Sequence, residues 1–245
     1  MNRVALFLGL LGAFASYGAD EISSGQLVMI GEHRLYVHCS GVPSRVTVVL
    51  VNGLGAGLEA WKPVQSDVER FAKVCSYDRA GEGRSDKISR LQTPDEVVND
   101  LNMLLEAERA PRRYVLVGWS LGGVYVRDFA QRFPDLTVGI VLVDSAHEEQ
   151  YSHYAAISPA IAERYATQDG RFDRNEFLKA AGQLDLGKHL EWHLDVPLMV
   201  LEHRRLSSPP RTEQDRLAVD WHELQVDLAA RSKFGKLIES RSGHM

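Results

Sequence analysis

The 245-residue chain carries 28 Lys and Arg against 33 Asp and Glu, a formal net charge of −5. With no basic run to offset it, that balance argues against nucleic acid as a partner. A hydrophobic content of 44% and a charged content of 25% fit a soluble globular protein, and the length fits one large α/β domain or a domain with a small insertion.

The N-terminus stands apart from the rest. Met1-Asn2-Arg3 brings one positive charge, and residues 4–14 are almost wholly apolar or glycine. Ala13-Phe14-Ala15 supplies an A-x-A cleavage site, with Gly18 or Ala19 as later options. This predicts a signal peptide over residues 1–19, cleaved after Ala15 or Ala19, and a mature domain over 20–245 that is periplasmic or secreted. No later apolar stretch is long enough to span a bilayer, so no stable membrane anchor is expected after cleavage. The two cysteines, Cys39 and Cys75, each fall in a predicted strand, and an oxidising compartment permits a disulfide.

Strand and helix signals alternate through the mature chain, which predicts a mostly parallel sheet flanked by helices. Residues 26–30 and 33–39, separated by Gly31-Glu32, form the pattern of an opening hairpin. Residues 46–51 are a continuous apolar run, as a strand buried on both faces requires. Residues 58–71 carry Trp61, Val64, Val68 and Phe71 at helical spacing, and residues 73–77 make the next strand. Thr93, Pro94 and Glu96 make a capping box with proline at the first helical position. Strands follow over 114–117, 139–143 and 197–201. An amphipathic helix over 212–232 presents Leu217, Trp221, Leu224 and Leu228, and a short strand over 236–239 ends the pattern. Between Ala146 and Val196 no strand is legible. This stretch is too long for a plain loop and is read as a small helical cap, residues 147–195, with helical spacing over 161–165 and 176–181.

The chemistry centres on Gly118-Trp119-Ser120-Leu121-Gly122-Gly123, set between the strand at 114–117 and a helical pattern over 124–133. A serine with glycine two residues away on each side, at a strand-to-helix junction, is the G-x-S-x-G nucleophile elbow. The turn forces Ser120 into a strained backbone, side chains at Gly118 and Gly122 would collide with neighbouring backbone, and the helix aims its positive end at the hydroxyl. Serine needs a base, and the base needs an orienting carboxylate. His244 is the candidate base, because it follows Ser242-Gly243 just past the last strand. His33, His38, His147, His153, His189, His193 and His222 lie in the hairpin, the insertion or the long helix. Asp144, ending strand 139–143, is the candidate acid. Glu202, ending strand 197–201, is its rival, though an exposed glutamate paired with Arg204 or Arg205 is the plainer reading of that residue. Two backbone N–H groups must hold the developing oxyanion, one from Leu121 and one from Asn52-Gly53-Leu54-Gly55-Ala56-Gly57, with Leu54 the choice. His189 and His193 stand four apart, but they lack a third ligand and the zinc-protease glutamate, so no metal is assigned. No dinucleotide or phosphate-loop fingerprint is present, and no cofactor is expected.

With these pieces assembled, the mature chain resembles the α/β-hydrolase superfamily. Tyr77-Asp78-Arg79-Ala80-Gly81-Glu82-Gly83-Arg84-Ser85, the elbow, Leu142-Val143-Asp144-Ser145-Ala146-His147 and Ser242-Gly243-His244-Met245 occur in family order. The resemblance implies an eight-stranded, mostly parallel sheet and a serine hydrolase acting on a small-molecule ester or related acyl substrate, with Ser120 as nucleophile, His244 as base and Asp144 as acid. Family strand order places the second strand beside the fourth, which implies a Cys39–Cys75 disulfide. Three departures accompany it. Asn52-Gly53 stands where many relatives have His-Gly. Leu206 stands about where an aspartate after the seventh strand is usual. The sequence ends one residue past His244, where relatives continue with a C-terminal helix. An aspartate nucleophile, as in epoxide hydrolases and haloalkane dehalogenases, is absent from the elbow. Amidase, thioesterase and lactonase chemistry stay open within the fold. The reading from another class is a non-catalytic binding protein, or a C-terminally truncated, inactive hydrolase.

Overall fold

The computed structural model describes residues 25–90, 92–109, 111–160, 195–203 and 212–240. The predicted leader, the helical spacings at 161–165 and 176–181, His189 and His193, Arg204 to Leu206, and Ser242 to Met245 lie outside these residues.

Eight strands make one sheet in the order β1-β2-β4-β3-β5-β6-β7-β8. They are β1 (Gln26–Ile30), β2 (His33–Ser40), β3 (Thr47–Val51), β4 (Lys73–Tyr77), β5 (Tyr114–Trp119), β6 (Thr137–Val143), β7 (Leu198–His203) and β8 (Gly235–Ser240). β1 pairs antiparallel with β2, as the tight turn at Gly31-Glu32 dictates, and β2 pairs antiparallel with β4. Every other pairing is parallel. The carboxyl ends of β3, β5, β6, β7 and β8 therefore share one edge, and the residues that follow them meet there.

Five α-helices lie among the described residues: α1 (Lys62–Val68), α2 (Pro94–Ala107), α3 (Leu121–Arg132), α4 (Gln150–Ile157) and α5 (Glu213–Ala230). The larger apolar cluster packs α2 and α3 on one sheet face through Val97, Leu101, Leu105, Val126 and Phe129 against Leu116, Ile140 and Val200, and Leu228 of α5 joins it. A smaller cluster on the other face gathers Trp61, Val64 and Val68 against Val48, Leu50 and Val74. β3 is buried along its whole length, so its unbroken Thr-Val-Val-Leu-Val run is what a strand with both faces covered needs. The capping box at Thr93 and Glu96 is formed, and α5 carries a second one from Thr212 and Asp215.

One expected helix divides. Residues 58–71 form a 3-10 turn at Leu58–Trp61, then α1, which stops at Val68. Pro63 has no N–H to bond the carbonyl of Glu59, so the first turn cannot run into the second. Phe71 lies beyond the helix and is 70% exposed, while Ala72 takes the buried place before β4.

Cys39 on β2 stands directly opposite Cys75 on β4, and the two are joined in a disulfide. The bond closes a 36-residue separation and ties the antiparallel flank to the parallel core. Cys39→Ser with Cys75→Ser is expected to cost about 2–4 kcal/mol of unfolding free energy, because the unfolded chain regains loop entropy. Urea unfolding of oxidised wild type beside the double variant measures this, and coincident midpoints would contradict it.

Candidate active site

The junction between β5 and α3 is as tight as the G-x-S-x-G spacing predicts. Ser120 adopts φ 51 and ψ −121, a left-handed conformation that costs a non-glycine residue about 1–3 kcal/mol. Backbone bonds hold it in place. Its N–H donates to Val143 O at 3.0 Å, and its carbonyl accepts from Gly123 N at 3.0 Å and Ala146 N at 2.9 Å. A Cβ at Gly118 would stand 2.6 Å from the Gly122 carbonyl and the Gly123 nitrogen, and one at Gly122 would strike the Val51 carbonyl. Only bare glycine backbone lets the start of α3 lie this close to β3 and β5. The Leu121 N–H opens α3, where helical N–H groups have no partner four residues back.

The loop after β3 is held from outside by charge. The Arg79 side chain is 5% exposed and donates to the carbonyls of Asn52 and Gly53. It also pairs with Glu82 at 2.8 Å, and Glu82 in turn accepts from the Gly55 N–H at 2.9 Å. The Gly53 carbonyl and the Leu54 N–H belong to one planar trans peptide, so they point in opposite directions. Fixing that carbonyl on Arg79 fixes the direction of the Leu54 N–H. Arg79 is braced further by the ring of Tyr125 on α3, 5.3 Å from its guanidinium carbon. Asn52 has a structural task here. Its side-chain amide donates to the Tyr77 carbonyl at 2.8 Å and ties the ends of β3 and β4 together. Asp78, 2% exposed, accepts from Leu58 N at 2.6 Å and Arg84 N at 2.8 Å, which fastens the turn that carries Arg79 and Glu82.

Asp144 follows the last residue of β6, is 4% exposed, and also has positive φ, 42°. Its Oδ1 accepts from the His203 backbone N–H at 2.9 Å and lies 2.8 Å from His203 Nδ1. The structure thus brings the predicted acid to an imidazole that the sequence reading passed over. The available signal was position, since His203 ends β7 as Asp144 follows β6. His244 lies outside the described residues. Glu202 departs from its expected exposure, and its expected partners Arg204 and Arg205 lie outside the described residues. It is 1% exposed and lies 2.6 Å from His222 Nδ1. The physical reason is strand alternation, which turns Glu202 toward α5 while its neighbour His203 turns the other way.

Behind the elbow lies a buried ion network. Arg127 of α3, fully buried, donates to the Gly123 carbonyl at 3.1 Å, to the Ala146 carbonyl at 2.7 Å and to Glu148 at 2.7 Å. Arg231 pairs with the same glutamate from beyond α5. His147 receives the Glu149 N–H on Nδ1 at 3.0 Å and faces Asp227 with Nε2 at 3.0 Å. Burial holds the His147 imidazole below its ordinary range, and its Nε2 also lies 2.9 Å from Arg231 Nη2. Burial alone would push the Glu148 carboxyl up, but Arg127, His147 and Arg231 outweigh it and hold it at about 2. The network binds α3, the loop after β6 and the end of α5 into one support beneath Ser120 and Asp144.

The family model described as the alpha/beta hydrolase fold matches residues 46–235. Over 202 residues the chain is 29% identical to the uncharacterized protein YqjL of Bacillus subtilis (strain 168), covering 81% of this chain and 76% of that one. Over 128 residues it is 27% identical to a pimeloyl-(acyl-carrier protein) methyl ester esterase of Pseudoalteromonas atlantica, covering 52% of this chain and 48% of the esterase. Among solved structures, a thermophilic esterase from Thermogutta terrifontis superposes with a TM-score of 0.63 at 20% identity, covering 90% of this chain and 92% of that one. At that identity the likeness is one of fold.

A charge-dependent support under the elbow has a pH signature. The folded Glu148 carboxyl sits at about 2 against an ordinary 4.5, so its contribution is complete above about 4.5 and drains away as pH falls toward 2. Glu148→Gln is expected to destabilise the protein at pH 7 by on the order of 3 kcal/mol, with the gap to wild type narrowing as pH drops below about 4.5. Urea midpoints of both proteins between pH 7 and pH 3 test this, and a pH-independent gap would refute it.

Proposed function

The chain belongs to the α/β hydrolase fold family, and from that premise we propose that it is a serine hydrolase cleaving carboxylic esters through an acyl-enzyme on Ser120. The observation that carries this reading is the left-handed Ser120 at the β5–α3 junction, beside an N–H at Leu121 and a Leu54 peptide held by Arg79. A methyl ester esterase among the relatives supports an ester as the substrate class.

In this reading the Ser120 Oγ attacks the acyl carbon while the base, His244, takes the hydroxyl proton. The Leu54 and Leu121 N–H groups receive the negative charge that develops on the carbonyl oxygen. The tetrahedral intermediate collapses, the C–O bond to the alcohol breaks, and the base returns its proton to that oxygen. Water, deprotonated by the same base, then attacks the acyl-enzyme, releasing the carboxylic acid and restoring Ser120. Asp144 orients the imidazole and stabilises its protonated form. The Cys39–Cys75 bond supports a periplasmic or secreted location, where thiols are oxidised.

The Asp144–His203 contact favours a second assignment of the base. A carboxylate on Nδ1 is the arrangement that leaves Nε2 for a serine hydroxyl, and His203 already has it. Hydrolysis of short- and medium-chain p-nitrophenyl esters separates the two. Ser120→Ala is expected to lower kcat by about 10³-fold or more, and His244→Gln to match it. His203→Gln is expected to cost only a few-fold, and the reverse order of the two histidine variants would make His203 the base. A folded wild type that neither hydrolyses these esters nor reacts with a fluorophosphonate at Ser120 would favour the non-catalytic reading.

Arg79 provides a separate test of the oxyanion loop. Arg79→Met is expected to lower kcat by about 10- to 100-fold through loss of Leu54 N–H alignment. Arg79→Lys should fare little better, because an ammonium cannot hold two carbonyls and a carboxylate in one fixed plane. Full activity in Arg79→Lys would reduce the role to charge balance against Glu82.

A further inference from the structure

Outside the elbow, β7, β8 and α5 bring three metal-binding side chains together. Glu202 of β7, Glu239 of β8 and His222 of α5 each offer a ligand atom, and these atoms lie within 4.8 Å of one another. Strand register makes the arrangement deliberate at the level of the backbone. Glu202 and Glu239 are direct partners across the parallel β7–β8 pair, so their side chains leave the sheet on the same face. Two carboxylates side by side repel each other, and the repulsion grows where one is shielded from water. Glu202 is 1% exposed, and its imidazole contact at 2.6 Å comes from a different element.

From this placement we propose that Glu202, His222 and Glu239 form a binding site for a divalent transition cation of the zinc type. One imidazole nitrogen with two carboxylate oxygens is a mixed donor set. Imidazole favours zinc-like ions over calcium or magnesium, and three protein ligands leave room for a water. Two ligands of one tetrahedral ion, each roughly 2.1 Å from it, stand about 3.4 Å apart. From ligand atoms within 4.8 Å of one another, closing the cluster takes up to about 1.4 Å, a shift within reach of side-chain rotation at the exposed Glu239. The cation offsets the carboxylate repulsion and displaces any proton from the imidazole. It also pins the ends of β7 and β8 to α5. The β7 end carries His203, which holds Asp144, and the β8 end leads directly into residues 241–245. The site stands on its own geometry and does not depend on ester hydrolysis.

The test is zinc titration of chelator-stripped, untagged protein by calorimetry, with cobalt as a visible-absorbing substitute and thermal unfolding with and without zinc. One saturating equivalent is expected, with a raised Tm and a cobalt band reporting nitrogen ligation. His222→Gln and Glu239→Gln are each expected to weaken binding at least ten-fold, while His189→Gln with His193→Gln leaves it unchanged. Both test variants alter side chains that are not fully buried, and matching far-UV dichroism establishes that they fold. Absence of saturable binding, or binding that survives both variants or is lost only with His189 and His193, would overturn the site. Calcium binding without zinc binding would overturn the assigned ion class.

Discussion

The close approach of α3 to the ends of β3 and β5 is the constraint on which the site depends. Ser120 can sit at left-handed φ only because Gly118 and Gly122 let backbone pass backbone at less than side-chain distance. That approach also delivers the first N–H groups of α3 to the sheet edge, and it lets the Ser120 carbonyl accept from Ala146 beyond β6. The strain at Ser120 is therefore balanced locally by hydrogen bonds to Gly123 of α3 and to Val143 and Ala146, which flank Asp144. A relaxed turn would lose the exposed hydroxyl and the link to the carboxylate together.

Burying charge near this junction is costly unless each charge is paired, and here the paired charges set loop geometry. Arg79 replaces solvent for two loop carbonyls and answers Glu82, so the peptide entering Leu54 has one orientation. Arg127 does the same for the Gly123 and Ala146 carbonyls and answers Glu148. An apolar side chain at either position would fill the space but would leave buried carbonyls without donors. The two arginines thus convert desolvation cost into fixed directions for backbone groups on opposite sides of Ser120.

The sheet, the elbow and the capping box were legible because each rests on local signals, namely apolar runs, glycine spacing and a Thr-Pro-x-Glu start. Even there, Pro63 divided a helix whose hydrophobic spacing looked continuous. Arg79 and Glu82 were visible as letters of a motif, but their work on the β3 loop required knowing that β4 lies beside β3. The same holds for His203 and Glu202. Both end β7, and strand alternation sends one toward Asp144 and the other toward His222, a distinction no count of charges along the chain provides. The predicted base and most of the insertion fall outside the described residues.

Alternation at the end of β7 also explains why two acid–imidazole pairs stand so near each other without competing. Asp144–His203 lies at the sheet's edge, where a carboxylate following β6 meets the residue ending the next strand. Glu202–His222 lies on the sheet face covered by α5, joined there by Glu239 from the edge strand. A one-residue slip of β7 would exchange their environments, moving a buried carboxylate to the edge and an imidazole into the packed face. The parallel β6–β7 and β7–β8 registers exclude that slip, and the bond from Asp144 N–H to the Leu201 carbonyl fixes it at the edge. Sheet register is thus the device that keeps the acid facing the Ser120 edge separate from the acid facing α5.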